Sequence, residues 1–215
     1  RPVVAIGGDH GLSYPLIRGF SRAIEGKVGL ILVDAHFDVR IAHHGEKGSG
    51  VPFRYVLEEM DGKVSPNNFV EFGIGGWLNT RLYHDYLREK GVRVITAREI
   101  WKGDFEALVD EAIEIAADGT DAMYLTFDID AIEGAIVNGT NVPALGGLSA
   151  LEAMELREVA IPALRRLCRE TGYTTNLAVL DGVELGEPVL VQGRERVPLG
   201  AVLRRARRAG AARVA

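Results

Sequence analysis

The amino-acid sequence predicts an α/β fold, built as a doubly wound and mostly parallel sheet with helices on both faces. Short apolar runs of strand length alternate along the chain with segments of helical periodicity. Such alternation is typical of parallel sheets whose strands are joined by crossover helices. The chain has 215 residues, of which 47% are hydrophobic, so it is long enough for one domain with a sizeable core.

The predicted strands are apolar runs that end at glycine, acidic or other polar residues. In chain order they occupy residues 3–6, 29–33, 69–74, 92–95, 123–127 and 177–180. Three of these runs, the first, the second and the fifth, are followed at once by acidic and histidine residues.

The predicted helices fill most of the intervals between the strands. They occupy residues 14–24, 52–60, 80–90, 104–117, 149–170 and 199–208. Pro52 suits the first turn of a helix, and Gly91 is a helix stop. Ser149 and Glu152 form the pattern of a capping box, which opens a helix. No internal repeat or low-complexity linker interrupts this order, so we expect residues 1–215 to form a single domain.

Composition narrows the classes of function. The formal net charge of −5 argues against nucleic acid as a partner. No apolar run approaches the roughly 18 residues that span a membrane, and no signal peptide is visible, so we expect a cytoplasmic protein. Cys168 is the single cysteine, which leaves no disulfide framework. The chain starts at Arg1 and enters a strand at once, so we also expect a preceding N-terminal segment.

Three clusters of acidic and histidine residues follow predicted strands. Ligands of open parallel sheets bind beyond the carboxyl ends of the strands, so these clusters are expected to meet. Like charges cannot gather there without a counter-charge, because desolvation and repulsion would protonate them. A pair of divalent cations is the simplest counter-charge. The clusters are Asp9 with His10, then Asp34, His36 and Asp38, then Asp128 with Asp130.

The spacing inside the clusters favours a shared metal site. In the Asp-X-His-X-Asp segment at residues 34–38, alternate side chains of an extended backbone would share one face. Asp128 and Asp130 repeat this spacing, and His10 adds an imidazole. Alone, the segments at residues 7–10 and 128–130 are more typical of turns, whereas the Asp-X-His-X-Asp segment after a strand is more specific for metal binding, and the three together favour it strongly. Oxygen-rich ligation with some nitrogen suits manganese better than zinc, and two bridged ions can lower the pKa of a shared water.

The three clusters, in this order, resemble the metal-binding motifs of the ureohydrolases, the arginase and agmatinase superfamily. The resemblance runs from Val3 to about Pro188. It implies a three-layer, arginase-like α/β/α sandwich, hydrolysis of a C–N bond at an amidino or imino carbon, and a homo-oligomer, commonly a trimer or hexamer. It also implies two Mn²⁺ ions per subunit, held by His10, Asp34, His36, Asp38, Asp128 and Asp130.

The same resemblance implies two catalytic roles. Asp38 would carry the proton from the attacking hydroxide to the leaving amine. Glu184, which follows the last predicted strand, would hold the cationic amidine group of the substrate. A carboxylate fits that role because it accepts two N–H donors at once. The alternative for Glu184 is an acidic residue of a surface loop.

Within the superfamily, local sequence is most similar to the formimidoylglutamase branch. The similar segments are residues 34–40, 48–54 and 141–148. Arg40, two residues beyond the last ligand of its cluster, would bind the carboxylates of an acidic substrate. Ser49 and Asn79 are further candidates for substrate binding. The implied reaction converts N-formimino-L-glutamate and water to L-glutamate and formamide, a step of histidine breakdown.

Several alternatives remain open. An agmatinase, arginase or guanidinobutyrase would release urea, although Arg40 has little use for agmatine, which has no carboxylate. A structural salt bridge is the other interpretation of Arg40, and His43 or His44 is a candidate proton shuttle. A metal-binding regulatory homologue without activity, or a deacetylase with one zinc ion on a related fold, is disfavoured by the six-ligand set. Two, one or no ions per chain would separate these classes.

Overall fold

A computed structural model of the chain describes residues 9–41, 48–60, 62–76, 79–137, 140, 142–156, 176–179, 189–192 and 195–198. The predicted strand at residues 3–6 and the predicted helix at 199–208 lie outside these residues. Cys168, His43, His44 and Glu184 lie outside them as well.

Five parallel strands form the main sheet of the described part of the chain. Their spatial order is β3-β2-β1-β4-β5, which confirms the predicted α/β fold with a parallel sheet. A separate antiparallel hairpin of β6 and β7 was not expected from the sequence. The strands are β1 (Val28–Val33), β2 (Phe69–Ile74), β3 (Arg93–Thr96), β4 (Ala122–Phe127), β5 (Asn176–Val179), β6 (Val189–Gln192) and β7 (Glu195–Pro198).

The helices lie between the strands, and all but α4, which was not predicted, lie close to the predicted bounds. Five of them are α1 (Ser13–Ala23), α2 (Pro52–Glu59), α3 (Arg81–Lys90), α4 (Ala97–Lys102) and α5 (Phe105–Ala117). A sixth, α6, is described over residues 150–156, and the rest of its predicted length lies beyond them. Its expected capping box is formed, since the N–H of Ser149 donates to Glu152 Oε2 at 2.7 Å and the N–H of Glu152 donates to Ser149 Oγ at 3.2 Å.

Apolar side chains cover both faces of the sheet, which makes the three layers. Side chains alternate along β1, so Leu30 and Leu32 join one core while Ile31 and Val33 join the other. The first core contains Ile17, Phe53 and Leu87 from α1, α2 and α3, and the second contains Ile100, Val109 and Leu156 from α4, α5 and α6.

The path of the chain through the sheet determines where a ligand can bind. From β1 the chain continues to β2 on one side, whereas β4 lies against the other side of β1. This is the switch point of a doubly wound sheet, where ligands bind beyond the carboxyl ends. Val33 pairs with Phe127 in register, so the next residues, Asp34 and Asp128, leave the sheet side by side. None of the helices described is long and apolar enough to cross a bilayer.

Candidate metal centre

One imidazole nitrogen lies among three carboxylates beyond the carboxyl ends of β1 and β4. His10 Nδ1 is 2.9 Å from Asp34 Oδ2, 3.0 Å from Asp38 Oδ2 and 3.2 Å from Asp128 Oδ2. His10 is 3% exposed, and Asp34 and Asp38 are also buried. A single ring N–H donates to one acceptor at a time, so His10 cannot satisfy all three carboxylates.

A second group of similar composition adjoins the first. His36 Nδ1 lies 3.0 Å from Asp130 Oδ2 and 3.4 Å from Asp34 Oδ1. The carboxylate of Asp34 therefore turns one oxygen toward each histidine. His10, Asp34 and Asp128 could hold one ion, and Asp34, His36 and Asp130 could hold another. The two groups share Asp34, which is the arrangement that a bridging carboxylate between neighbouring cations requires.

The local backbone brings the side chains together by turns. The carboxylate of Asp34 accepts the N–H of His36 at 2.6 Å, and that of Asp128 accepts the N–H of Asp130 at 3.0 Å. After β4, Ile129–Ala131 form a single 3₁₀ turn. The expectation of an extended backbone through both segments was therefore wrong, because short aspartate side chains bond the backbone two residues on and stabilise a turn.

Asp38 has the unusual backbone conformation of this loop. Its φ of 47° lies in the left-handed region, and no other non-glycine residue in the described part of the chain has a positive φ. Its carbonyl accepts the N–H of Phe53 at 3.2 Å, and the carbonyl of Val39 accepts Arg54 Nε at 2.8 Å. The first turn of α2 thus stabilises a strained loop, and strain of this kind clusters at functional sites.

Thr126 contacts the second ring nitrogen of His10, Nε2. Its Oγ1 is 3.2 Å from His10 Nε2, and Phe53 contacts the ring edge with centroids 5.1 Å apart. A hydrogen bond at one ring nitrogen directs the other toward a metal ion. Nδ1 is consequently the nitrogen that faces the carboxylates. The sequence pattern gave Thr126 no role, because the residue lies inside β4 and its contact with His10 joins distant parts of the chain.

The direction of the pKa shifts indicates that the carboxylates favour positive charge beside them. Burial lowers the pKa of His10, but hydrogen bonds and charges from Asp34 and Asp38 outweigh it and raise the pKa well above its usual value. Burial also opposes protonation of His36, yet Asp130 and Asp34 raise its pKa to about 10. Burial raises the pKa of Asp130 to about 6. These buried carboxylates and imidazoles compete for protons. Divalent cations would supply the same positive charge, so the group suits them as ligands.

Glu71 is a buried acid near this site that sequence analysis missed. It lies in the middle of β2, is 0% exposed, and neither carboxyl oxygen has a hydrogen-bond partner among the described residues. Burial, followed by the charges of Asp34 and Asp38, raises its pKa well above the usual value. An acidic residue inside an otherwise apolar strand was the available signal.

Glu133 is a second residue that sequence analysis missed. Its carboxylate accepts the N–H groups of Gly146 and Gly147 at 2.7 and 3.1 Å. Isolated bridges join Ile132 to Leu148 and Glu133 to Ala144. Glu133 therefore holds the segment at residues 144–148 against the turn that carries Asp128 and Asp130.

Arg40 and Ser49 form one exposed corner beside the ligand loop. The N–H of Arg40 donates to the carbonyl of Gly50 at 2.9 Å. A Cβ added at Gly50, where φ is +83°, would lie 3.3 Å from Arg40 Cδ, so the arginine side chain runs along this glycine. Among the described residues, no carboxylate lies within ion-pair distance of Arg40.

Asn79 lies beyond the end of β2, as expected, but its side chain bonds the backbone of the neighbouring loops. Both hydrogens of its Nδ2 donate to backbone carbonyls, those of Ala35 at 2.7 Å and Gly75 at 2.6 Å. Its Oδ1 accepts the N–H of Phe37 at 3.1 Å. No amide donor of Asn79 is left for a substrate.

The parallel sheet, its switch point and the two overlapping ligand groups define an α/β protein with a candidate dinuclear metal centre. The model of the arginase family matches residues 1–186. The chain belongs to the arginase family, which confirms the resemblance drawn from the three clusters.

Similarity to individual proteins extends over most of this chain. It is 37% identical over 154 residues to guanidinobutyrase of Pseudomonas aeruginosa, covering 71% of this chain and 47% of that protein. It is 31% identical over 155 residues to formimidoylglutamase of Halalkalibacterium halodurans, covering 72% and 47%. The chain thus spans about half the length of these curated relatives. The structure of Trypanosoma cruzi formiminoglutamase with Mn²⁺ superposes with a TM-score of 0.68 at 30% identity, covering 82% of this chain and 56% of that one.

Proposed function

We propose that this chain holds the catalytic centre of a dinuclear manganese hydrolase that cleaves a C–N bond at an amidino or imino carbon. The observation that carries the proposal is the carboxylate of Asp34, shared by two groups of metal-ligand type. Membership of the arginase family supports it. The proposed ligands are His10, Asp34, His36, Asp38, Asp128 and Asp130.

Two Mn²⁺ ions bound here would lower the pKa of a water molecule toward neutrality and so supply hydroxide at pH 7. Asp38 Oδ2 would accept the proton of this hydroxide after its oxygen bonds the carbon, and would pass it to the amine nitrogen as the C–N bond breaks. The left-handed backbone at Asp38, stabilised by the first turn of α2, aims that carboxylate at the ligand groups. Glu184 remains the proposed partner of the cationic amidine, where one carboxylate accepts two parallel N–H bonds.

We propose N-formimino-L-glutamate as the substrate, with L-glutamate and formamide as products. Arg40 is exposed two residues beyond Asp38, and its planar guanidinium suits two hydrogen bonds to a substrate carboxylate. Ser49, exposed in the adjoining turn, is the proposed second contact. Similarity to formimidoylglutamases supports this assignment.

A guanidino acid is the second candidate substrate. The observation that favours it is the 37% identity to a guanidinobutyrase. Guanidinobutyrate also carries a carboxylate, so Arg40 would serve it equally well, and the product of C–N cleavage would be urea. Agmatine lacks a carboxylate and gains nothing from Arg40.

Initial rates separate these candidates. Purified protein loaded with Mn²⁺ would be assayed with N-formimino-L-glutamate, 4-guanidinobutyrate, arginine and agmatine. We expect the highest kcat/KM for N-formimino-L-glutamate and a loss of about 10- to 100-fold in Arg40→Ala, equivalent to roughly 1.5 to 3 kcal/mol for a hydrogen bond to a charged group. Arg40→Lys keeps the charge and loses the planar fork, so its kcat/KM should lie between those of the unaltered protein and Arg40→Ala.

If the protein prefers 4-guanidinobutyrate and loses that activity in Arg40→Ala, its substrate is a guanidino acid instead. Turnover of agmatine or arginine, unaffected by Arg40→Ala, would contradict the acidic-substrate proposal. Absence of turnover on all four compounds by protein that retains two ions would favour a regulatory homologue.

A further inference from the structure

The carboxamide of Asn79 connects the loops that follow two neighbouring strands. Asn79 lies between β2 and α3, and its Nδ2 donates to the carbonyls of Ala35 and Gly75. Its Oδ1 accepts the N–H of Phe37. The N–H of Gly75 also donates to the carbonyl of Ala35 at 2.9 Å, so the two loops are bonded at several points.

These contacts lie on both sides of His36. The side chain of Asn79 bonds the carbonyl of the preceding residue and the N–H of the following residue, as a neighbouring strand would. The peptide groups that flank His36 are therefore fixed relative to the end of β2. The remaining N–H, that of His36 itself, donates to Asp34 Oδ1 at 2.6 Å. With its backbone held on both sides, the ring of His36 is directed at Asp34 and Asp130.

We propose that Asn79 is a positioning residue for the metal centre, which orients His36 and thereby sets the affinity of the ion that His36 binds. This inference rests on the proposed role of His36 as a ligand. It replaces substrate binding as the role of Asn79, since both of its amide hydrogens are engaged by the backbone. Loss of a group that orients a metal ligand typically weakens metal binding about 10- to 100-fold.

The chain offers a matched control at the opposite end of β2. Asn68 is buried, and its Nδ2 also donates to two backbone carbonyls, those of Ile115 at 2.9 Å and Asp118 at 2.8 Å. Asn68 precedes β2, whereas the ligand groups lie beyond the carboxyl ends of the strands. Its truncation removes the same chemistry far from the proposed ions. A purely structural role for Asn79 would make the two substitutions equivalent.

The test compares Asn79→Ala, Asn79→Asp and Asn68→Ala with the unaltered protein. After chelation, Mn²⁺ affinity would be measured by electron paramagnetic resonance titration, and the thermal midpoint would be measured without metal. We expect Asn79→Ala to weaken one of two ions about 10- to 100-fold, while Asn68→Ala lowers the thermal midpoint with both affinities unchanged. Asn79→Asp keeps the acceptor for Phe37 but opposes two carbonyls, so it should weaken the same ion even if the alanine variant fails to fold.

Equal manganese affinities in the Asn79 variants and the unaltered protein would overturn the inference. So would equal losses in the Asn79 and Asn68 variants, or an Asn79→Ala variant changed only in KM for substrate. These outcomes differ from a failure of the proposed function, in which the unaltered protein itself would not bind two ions.

Discussion

At the residue scale, the carboxylates of the candidate centre determine the protonation of its two imidazoles. Nearby carboxylates raise the pKa of His10 well above its usual value and that of His36 to about 10. The His36 ring is therefore expected to be cationic near pH 7 in protein treated with a chelator, and the neighbouring carboxylates favour the cationic form of His10 as well. A cation requires the neutral imidazole, so metal and proton compete for the same nitrogen.

Metal binding should consequently release protons. Near pH 7.5 we expect about one to two protons per chain, up to one from each histidine, when Mn²⁺ is added to chelated protein. Titration calorimetry in two buffers of different ionisation enthalpy measures this number. Release should decline as the pH approaches the pKa of His36, about 10, and identical heats in both buffers near pH 7.5 would contradict the expectation.

Glu71 should make chelated protein less stable as the pH rises. Its pKa is raised in the folded chain, chiefly by burial, so above about pH 4.5 the unfolded chain loses this proton while the folded chain keeps it. The folded chain then binds one more proton than the unfolded chain. The free energy of unfolding therefore falls with rising pH until the folded pKa is passed. Glu71→Gln removes this dependence.

Urea unfolding of chelated protein at pH 5 and pH 8 tests this expectation. The stability of Glu71→Gln relative to the unaltered chain should increase between the two pH values. A difference that stays constant, or that shrinks at pH 8, would contradict a raised pKa for Glu71 in the folded protein.

Residues of the candidate centre could be found from sequence where the signal was local. Asp34, His36 and Asp38 were visible because they follow an apolar strand at close spacing. Glu71 was not found because it stands alone, and its closeness to the ligands arises from the pairing of β2 with β1. The position of Asn79 was expected at a strand end, but its engagement with Ala35 and Phe37 depends on how two loops pack.

At the scale of elements, sequence predicted strands and helices wherever the apolar pattern was long enough. The five strands of the main sheet and most helices agree with their predicted bounds to within a few residues, whereas β6 and β7 were not predicted. Helix α4 was missed because it is one short element that begins immediately after β3. Its start is defined by a capping box in which Thr96 Oγ1 accepts the N–H of Glu99 while Glu99 accepts the N–H of Thr96.

This capping box offers a test of local stability. Thr96→Ala should lower the free energy of unfolding by about 0.5–2 kcal/mol, since it removes the side-chain acceptor at the start of α4. Thr80 is the matched control, because it precedes α3 but makes no side-chain capping bond. Thr80→Ala should therefore change stability less, as measured by urea unfolding. Equal losses in the two variants would contradict the role given to Thr96.

At the scale of the whole molecule, stability depends on how closely the helical layers approach the sheet. Gly29 in β1 faces α5, and a Cβ added there would lie 1.8 Å from the carbonyl oxygen of Ala116. Backbone cannot yield to this contact without separating the layers. Glycine at this position follows from packing that the sequence pattern could not reveal.

The homo-oligomer implied by the family resemblance stays a prediction at this scale.

Gly29→Ala and Gly19→Ala should therefore differ in sign. The first should destabilise the fold by about 1–3 kcal/mol or more, as expected for overpacking. Gly19 lies within α1 and has nothing within 4 Å of an added Cβ, so its replacement by alanine should stabilise the chain by roughly 0.5–1 kcal/mol. Thermal midpoints of the two variants measure the difference, and destabilisation by both would contradict the packing described.

The number of manganese ions bound per chain distinguishes a dinuclear centre from a mononuclear one. Purified protein would be chelated, saturated with Mn²⁺, freed of excess metal and analysed by inductively coupled plasma mass spectrometry, beside Asp34→Asn. We expect about two ions per unaltered chain, as in dinuclear hydrolases, and loss of both in Asp34→Asn because the two ligand groups share that carboxylate. A single ion or none in the unaltered protein would contradict the dinuclear centre.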